Sequence, residues 1–232
     1  VLETNPSITP GRELISYNNT YDGLRQFNNA TMIERQIGST AKPIFAYAPG
    51  FEFDNFSTYQ LFVDEEWSYS DGTRIGNWDN KYDGIMTLRR ALSVSRNIPA
   101  LKAFQTVQKD VGNKKIVEFV EGLGIDLEND VAYEAYSIGG LSSGVSTLQM
   151  AAAYAAFANG GYYTEPYTVK SITYRDSGET VEFEVKKTQA MKDSTAYLLL
   201  VFGCSPIIIG WVAVICYGVL GLVVKPLIVH YI

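Results

Sequence analysis

Histidine and cysteine are nearly absent from this chain of 232 residues, which has one histidine, His230, and two cysteines, Cys204 and Cys216. A single histidine, close to the end of the chain, excludes most chemistry that depends on imidazole, including Ser-His-Asp triads and metal sites with paired histidines. Two cysteines cannot form a framework of several disulfides or a four-cysteine zinc site. A nucleophile in this chain must therefore be activated by a group other than imidazole.

Basic residues are also scarce, because 19 Lys and Arg stand against 25 Asp and Glu, a formal net charge of -6. A nucleic-acid partner needs a basic face, so this balance argues against nucleic-acid binding. With 47% hydrophobic residues the chain is not disordered, and its length suffices for a buried core in one large domain or two small ones.

Charge disappears at the end of the chain, where Lys225 is the only charged residue after Asp193. The apolar run Leu198–Val224 is longer than the ~20 residues that a helix needs to cross a bilayer. We therefore predict a folded domain over residues 1–197 and a hydrophobic, membrane-spanning tail over residues 198–232. The alternative is a buried helix or strand pair within the soluble domain.

The pattern along the body predicts helices in the middle of the chain and strands on either side, which indicates an α+β fold. Ser146 with Gln149 has the spacing of a capping box and predicts the start of a helix. The runs Tyr167–Tyr174 and Glu179–Val185 predict a β-hairpin. Residues 52–86 show no regular spacing of apolar residues, which predicts a long surface segment.

Prolines and glycines set the expected ends of the central helices. Pro43 suits a first helical turn, and we expect Pro49 and Gly50 to end that helix. The residue before Pro99 disfavours helical geometry, so we expect one helix to end just before it and the next to occupy about residues 100–107.

Ser39 and Lys42 are three residues apart where a loop enters the first of these helices. Residues at this spacing share a helix face, with Cβ atoms ~5–6 Å apart. A lysine that is kept neutral by burial or a nearby cation can accept the proton of a serine hydroxyl, and the helix dipole stabilises developing negative charge. The pair is a candidate acyl-transfer unit, and the alternative is an exposed helix start with a solvated lysine.

Ser95-Arg96-Asn97 provides a second hydroxyl and an amide between two predicted helices. The Ser95 hydroxyl can relay a proton, and the Asn97 amide can orient the lysine or bind a substrate carbonyl. The alternative function of these side chains is to cap the preceding helix, and both functions are compatible.

Five segments of the chain together resemble one known protein family in sequence, order and spacing, namely Gly23–Thr31, Arg35–Ile44, Leu88–Ala100, Gly139–Val145 and Met150–Tyr163. Over most of residues 10–197 the chain resembles the transpeptidase domain of bifunctional (class A) penicillin-binding proteins. Ser-x-x-Lys followed by a Ser-x-Asn-type triplet is a motif combination of this superfamily.

The resemblance implies a partial penicillin-binding-protein or serine β-lactamase-like fold, with a helical cluster against an incomplete antiparallel sheet and an apolar C-terminal helix. It implies that Ser39 is the acylated nucleophile, Lys42 the base and Ser95 a proton relay, and that Asn97 holds the donor peptide. The implied reaction is D,D-transpeptidation of peptidoglycan, in which D-Ala-D-Ala stem peptides acylate the serine before transfer to an amine. β-Lactams would acylate the same serine, and no metal or cofactor is implied.

The family's third motif, Lys-Thr-Gly or Lys-Ser-Gly, has no match in this chain. Lys170-Ser171 and Lys187-Thr188 lack the following glycine, and we expect them in and after the hairpin. We therefore expect a domain truncated before this motif. The resemblance implies that it lies on the outer face of a bacterial cytoplasmic membrane. The alternatives are a catalytically impaired, membrane-tethered remnant and a hydrolase of the carboxypeptidase or β-lactamase type.

Overall fold

The computed structural model of the chain describes residues 29–203 and 227–230, with a helical centre. The α-helices of these residues are α1 (Asn29–Met32), α2 (Ala48–Phe53), α3 (Leu88–Ser93), α4 (Asn97–Val111), α5 (Asn113–Glu121), α6 (Thr147–Ala158) and α7 (Asp193–Gly203). A π-helix spans Lys42–Tyr47, and 3-10 turns span Gly38–Thr40, Glu128–Asp130 and Glu134–Ile138.

The strands within the described ranges form small sheets of two or three strands. They are β1 (Glu34–Arg35), β2 (Leu61–Asp64), β3 (Trp67–Ser68), β4 (Arg74–Ile75), β5 (Gly84–Thr87), β6 (Val145–Ser146), β7 (Tyr162–Thr164), β8 (Val169–Thr173), β9 (Thr180–Glu182), β10 (Lys187–Gln189) and β11 (Leu227–His230). Antiparallel pairs join β1 with β6, β2 with β5, β3 with β4, β7 with β10 and β8 with β9, while β11 lies parallel to β8. Helices in the middle with short antiparallel strands around them confirm the predicted α+β class.

Helix α4 lies at the centre of the hydrophobic core. Its residues Ala100, Phe104 and Val107 recur at spacings of three or four and are fully buried. They belong to one cluster with buried side chains of the π-helix and of α5. Burial of a large apolar side chain contributes about 1.5–3 kcal/mol. The core therefore holds the π-helix and the start of α4 in a fixed relative position.

The helix that starts in the π-helical segment does not end at Pro49 and Gly50, as predicted, but continues through α2. Within an α-helix a proline clashes with the carbonyl four residues earlier. The turn before Pro49 is π-helical, with the Ala48 amide donating to the Pro43 carbonyl, and this wider turn relieves the clash. Gly50 is needed for packing, because a Cβ there would overlap the ring of Phe56.

Helix α4 starts earlier than predicted, at Asn97, with Pro99 inside its first turn. A proline in a first turn leaves no helical hydrogen bond unmade. The Asn77 side-chain oxygen accepts hydrogen bonds from the backbone amides of Asn97, at 2.9 Å, and Ile98, at 3.5 Å. This cap comes from a residue that is distant in sequence, so local proline rules could not predict it.

Other local predictions are confirmed by the backbone. Ser146 and Gln149 form the reciprocal hydrogen bonds of a capping box at the start of α6. The predicted hairpin is present as β8 and β9. Residues 52–86, predicted as a surface segment without period, instead contain β2, β3, β4 and most of β5. The short paired strands hold this segment against the start of α4 through the Asn77 cap.

The apolar stretch after residue 197 is described only in part. Helix α7 crosses the predicted domain boundary, and Leu199 is buried in the core cluster. Among residues 29–203 and 227–230, no helix is both long and apolar enough to cross a membrane. The spanning prediction falls largely on residues 204–226, outside the described part. That prediction and the division at residue 197 therefore stay predictions.

A close backbone approach fixes the loop that precedes the π-helix. Gly139 has φ +96° and lies directly against Gly38, which has φ +53°. A Cβ at Gly139 would overlap backbone atoms of Gly38. Only a residue without a side chain allows the two loops to come this close, so the position of the Gly38–Thr40 turn depends on a glycine 101 residues later in the sequence.

Replacement of Gly139 by alanine is expected to destabilise the fold more than the same change at Gly72. Both glycines have positive φ, but a Cβ at Gly72 meets nothing within 4 Å. Each variant incurs the backbone strain of ~1–2 kcal/mol, and Gly139→Ala adds an overlap of about 1–3 kcal/mol. Urea unfolding of both variants measures the difference. Equal losses of unfolding free energy would show that the Gly38–Gly139 approach does not constrain the loop.

Candidate active site

Ser39 lies in the 3-10 turn before the π-helix, and its side chain is exposed to solvent. The turn is held from both directions around the serine. Thr40 donates its hydroxyl to the Ile37 carbonyl at 2.6 Å, and Tyr154 of α6 donates its hydroxyl to the Thr40 carbonyl at 2.8 Å. Ser39 is therefore a reachable hydroxyl on a fixed backbone, as a nucleophile requires.

Lys42 is the first residue of the π-helix and is 0% exposed. Its Nζ donates hydrogen bonds to the Ser95 carbonyl at 2.6 Å, to Ser95 Oγ at 3.0 Å and to Asn97 Oδ1 at 2.8 Å. These acceptors use all three N–H groups of an ammonium. Burial lowers the pKa of Lys42 from 10.5 to about 7. The alternative of a solvated lysine at an exposed helix start is therefore wrong.

Ser95 lies in a tight turn at the end of α3, with φ +56°. Its amide donates to the Leu92 carbonyl, and the Arg96 amide donates to the Ala91 carbonyl, each at 2.9 Å. These two bonds form a Schellman motif, whose left-handed position is usually occupied by glycine. A serine at this position costs backbone strain, and its hydroxyl points toward Lys42 and Ser39. The predicted capping function is thus present in the same turn as the polar contacts.

A continuous hydrogen-bond path joins Ser39 to Lys42 through Ser95. The Ser95 and Ser39 hydroxyl oxygens are 2.9 Å apart, and Lys42 Nζ is 3.0 Å from Ser95 Oγ. When Lys42 is an ammonium, protons point from Lys42 to Ser95 to Ser39. When it is neutral, its lone pair can accept from Ser95, which can accept from Ser39. The arrangement can therefore carry a proton from Ser39 to a buried amine.

Asn97, predicted to hold a substrate, uses most of its amide within the protein. Its Oδ1 accepts from Lys42 at 2.8 Å, and its Nδ2 donates to the Gly76 carbonyl at 2.9 Å. Among contacts within residues 29–203 and 227–230, the second N–H of this amide is left for a ligand. Of the two interpretations from the sequence, these contacts favour the one in which Asn97 orients the lysine.

A polar cluster surrounds Arg96, the middle residue of this turn, and it was not predicted from the sequence. The Arg96 side chain contacts the carboxylates of Asp64, Asp79 and Asp83. Asn77 joins the same cluster by donating to Asp64 at 2.7 Å. The only signal in the sequence was the density of Asp and Asn between residues 64 and 83, which is equally typical of exposed loops.

The lysine-containing pairs that lack a third-motif glycine lie in the hairpin and after it, as expected. Lys170 and Ser171 are in β8, and Lys187 and Thr188 are in β10, which pairs with β7. Lys187 and Thr188 are exposed. Within the described ranges, no group of His, Cys, Asp and Glu side chains could hold a metal ion.

A model of the penicillin-binding protein transpeptidase domain matches residues 10–199 of the chain. The chain is 49% identical over 175 residues to penicillin-binding protein 1A/1B of Bacillus subtilis (strain 168). This alignment covers 75% of the chain and 19% of that relative. The chain therefore spans about a fifth of the length of the curated relative.

Solved structures show the same fold. The D,D-transpeptidase domain of a peptidoglycan glycosyltransferase from Eggerthella lenta has a TM-score of 0.63 at 20% identity, covering 82% of this chain and 52% of that one. Penicillin-binding protein A from M. tuberculosis, as an imipenem acyl-enzyme complex, has a TM-score of 0.66 at 18% identity, covering 78% and 46%. The predicted penicillin-binding-protein-like fold is confirmed.

Replacement of Ser95 by glycine is expected to stabilise the protein relative to replacement by alanine. Both variants lose the hydroxyl, but only glycine adopts the left-handed turn at φ +56° without strain. We expect Ser95→Gly to exceed Ser95→Ala by about 1 kcal/mol in the free energy of unfolding, measured in urea. If alanine is the more stable of the two, the left-handed turn is not the conformation in solution.

Proposed function

The chain belongs to the penicillin-binding protein transpeptidase family, and from this premise we propose that it catalyses D,D-transpeptidation in the synthesis of bacterial peptidoglycan. The observation that carries the proposal is the hydrogen-bond path from the exposed Ser39 through Ser95 to the fully buried Lys42. The proposed donor is a D-Ala-D-Ala stem peptide, and the proposed acceptor is an amine of a neighbouring strand.

In the proposed acylation, Ser39 Oγ attacks the carbonyl carbon of the penultimate D-Ala. The Ser39 proton passes to Ser95 Oγ, while the Ser95 proton passes to the lone pair of neutral Lys42. Collapse of the tetrahedral intermediate breaks the peptide bond, and the terminal D-Ala leaves as an amine that takes a proton from Ser95 Oγ, which the Lys42 ammonium reprotonates. The product is an ester of Ser39, which an acceptor amine then attacks.

The lowered pKa explains how a lysine can act as the base near neutral pH. At its ordinary value of 10.5, fewer than one molecule in a thousand would hold a neutral amine at pH 7. With a pKa of about 7, about half of the molecules do. Burial is the cause, so the dry environment of the π-helix supplies the activation that imidazole supplies in serine triads.

β-Lactams are the second proposed class of ligand. The M. tuberculosis neighbour is an imipenem acyl-enzyme complex, and the shared fold supports an ester of the same kind on Ser39. We further propose the outer face of the bacterial cytoplasmic membrane as the location, because that is where peptidoglycan strands are joined. Within the tail over residues 198–232, residues 204–226 remain the proposed membrane attachment, because Leu199 packs in the core and Leu227–His230 pair with β8.

A second candidate function is that of a remnant that folds and binds stem peptides but reacts slowly, and the observation behind it is the lack of a third-motif triplet in the 232 residues. Neither Lys170-Ser171 nor Lys187-Thr188 is followed by glycine. Loss of one oxyanion donor in an acyl-transfer site lowers the rate by about 10²–10³-fold. A hydrolase is the third candidate, and it differs from the transpeptidase only in transferring the acyl group to water.

Replacement of Ser39 by alanine is expected to abolish covalent labelling by a fluorescent penicillin, because the acylated oxygen is removed. Ser177→Ala is the matched control: this serine is exposed in the turn of the β8–β9 hairpin. It should label as the wild type does. Folded wild-type protein that forms no adduct would support the remnant, and an adduct that persists in Ser39→Ala would place the nucleophile elsewhere.

The wild-type labelling rate should also depend on pH through Lys42. Only the neutral amine accepts the proton, so the rate should rise with pH, level off above about 7, and fall about tenfold per pH unit below that value. A rate that is flat between pH 5 and pH 8 would contradict a role for Lys42 as the base.

A further inference from the structure

Arg96, between Ser95 and Asn97, is surrounded by carboxylates from a separate part of the chain. Its side chain is 5% exposed. The guanidinium contacts Asp64 at 3.3 Å through Nε, Asp79 at 2.6 Å through Nη1, and Asp83 through Nη2. The planar guanidinium thus binds carboxylates on several sides, which a lysine cannot do.

The most buried of these carboxylates, Asp64, has partners on both of its oxygens. Its side chain is 0% exposed. Asn77 Nδ2 donates to Oδ1 at 2.7 Å, and the Asp83 amide donates to Oδ2 at 3.0 Å. A buried carboxylate with hydrogen bonds to both oxygens is held in one position. Asp64 is therefore a fixed anchor at the end of β2, and Arg96 is bound to it.

The same segment also binds the residue after Arg96. Asn77 Oδ1 accepts from the Asn97 amide at 2.9 Å, and the Gly76 carbonyl accepts from Asn97 Nδ2 at 2.9 Å. The Asn77 side chain thus bridges the anchor Asp64 and the turn. The two residues that follow Ser95 are held by the segment between β2 and β5, and Ser95 itself is in a strained left-handed conformation.

We propose that Arg96 is a positioning residue, which holds the Ser95 turn over Lys42 by binding the Asp64, Asp79 and Asp83 carboxylates. This inference rests on the proposed function, since the turn supplies the relay hydroxyl and two further acceptors to Lys42. Without the guanidinium, the turn loses its direct ion pairs with the three carboxylates and keeps the indirect connection to Asp64 through Asn77, while three negative charges face one another. The turn would then move away from Lys42, and water would reach the amine.

Arg96→Met tests the proposal because it keeps most of the side-chain volume and removes the guanidinium that binds the carboxylates. We expect the first-order acylation constant for a fluorescent penicillin to fall about 100-fold, as a displacement of ~1 Å at a catalytic group produces. The dissociation constant of the non-covalent complex should change less. Arg96→Lys keeps the positive charge but lacks the planar set of N–H donors, so its decrease in the acylation constant should be intermediate.

Arg74→Met is the matched control. Arg74 lies on β4 in the same segment, and its ion pair with Glu66 is exposed on both sides, at 82% and 70%. The same substitution at this position removes an equal charge and should leave the acylation constant unchanged. Thermal unfolding of both variants shows whether a lower acylation constant comes from loss of positioning or from loss of fold. Asp79→Asn is a milder change to the same cluster and is measured in the same way.

NMR titration of the Lys42 side chain supplies a readout that does not depend on acylation. In Arg96→Met the midpoint should move upward from the wild-type value, because water reaches the amine. If the wild-type protein does not react with the fluorescent penicillin but the Lys42 midpoint is shifted in Arg96→Met, the proposed function is contradicted and the positioning role is supported. The positioning role would be overturned if the wild-type protein reacts with the penicillin and folded Arg96→Met has the same acylation rate and the same Lys42 midpoint. A rate loss that follows only the unfolded fraction would overturn it too.

Discussion

The structure depends on one buried amine and the turn that covers it. Lys42 reaches no solvent, and its three hydrogen bonds all end on residues of a single turn, at Ser95 and Asn97. The hydrophobic core places the two elements together, because the π-helix and α4 pack in one cluster. Ser39 lies outside this arrangement and connects to it by one hydroxyl contact. Reactivity and folding are thus coupled through one side chain.

This burial opposes stability at neutral pH. The unfolded chain binds a proton on Lys42 below pH 10.5, whereas the folded chain does so only below about 7. Between these values the unfolded state holds more protons, so this group's contribution to stability decreases as the pH falls from 10.5 to about 7 and is constant below. The strained backbone conformation of Ser95 also lowers the stability of the folded state. Both costs fall on the residues that the proposed chemistry needs, as is common where function and stability conflict.

Local physics predicted the parts of the structure that local sequence determines. The capping box at Ser146, the β8–β9 hairpin and the α+β class follow from short-range patterns and are confirmed. The predicted bounds of the central helices were wrong where distant residues determine them, as where Asn77 caps α4. The site residues, and Ser95 as a proton relay, could be named from motif spacing and the family resemblance. The left-handed turn that places the Ser95 hydroxyl could not be predicted, because a serine disfavours that backbone conformation.

The charged cluster around Arg96 illustrates the same limit. Its four charged members are spread over residues 64–96, and an Asp-rich loop usually indicates a solvated surface. Only the fold shows that one carboxylate is fully buried and that the guanidinium binds all three. Secondary-structure periodicity carries no information on such contacts, because they join a loop to a turn.

The most direct test of this account is the titration of the Lys42 side chain in the intact protein, followed by NMR with labelled lysine. A midpoint near pH 7 is expected, because burial keeps water from the amine and so lowers its pKa. A midpoint near 10.5 would mean that the amine is hydrated, and that the hydrogen-bond path from Ser39 does not end on a usable base.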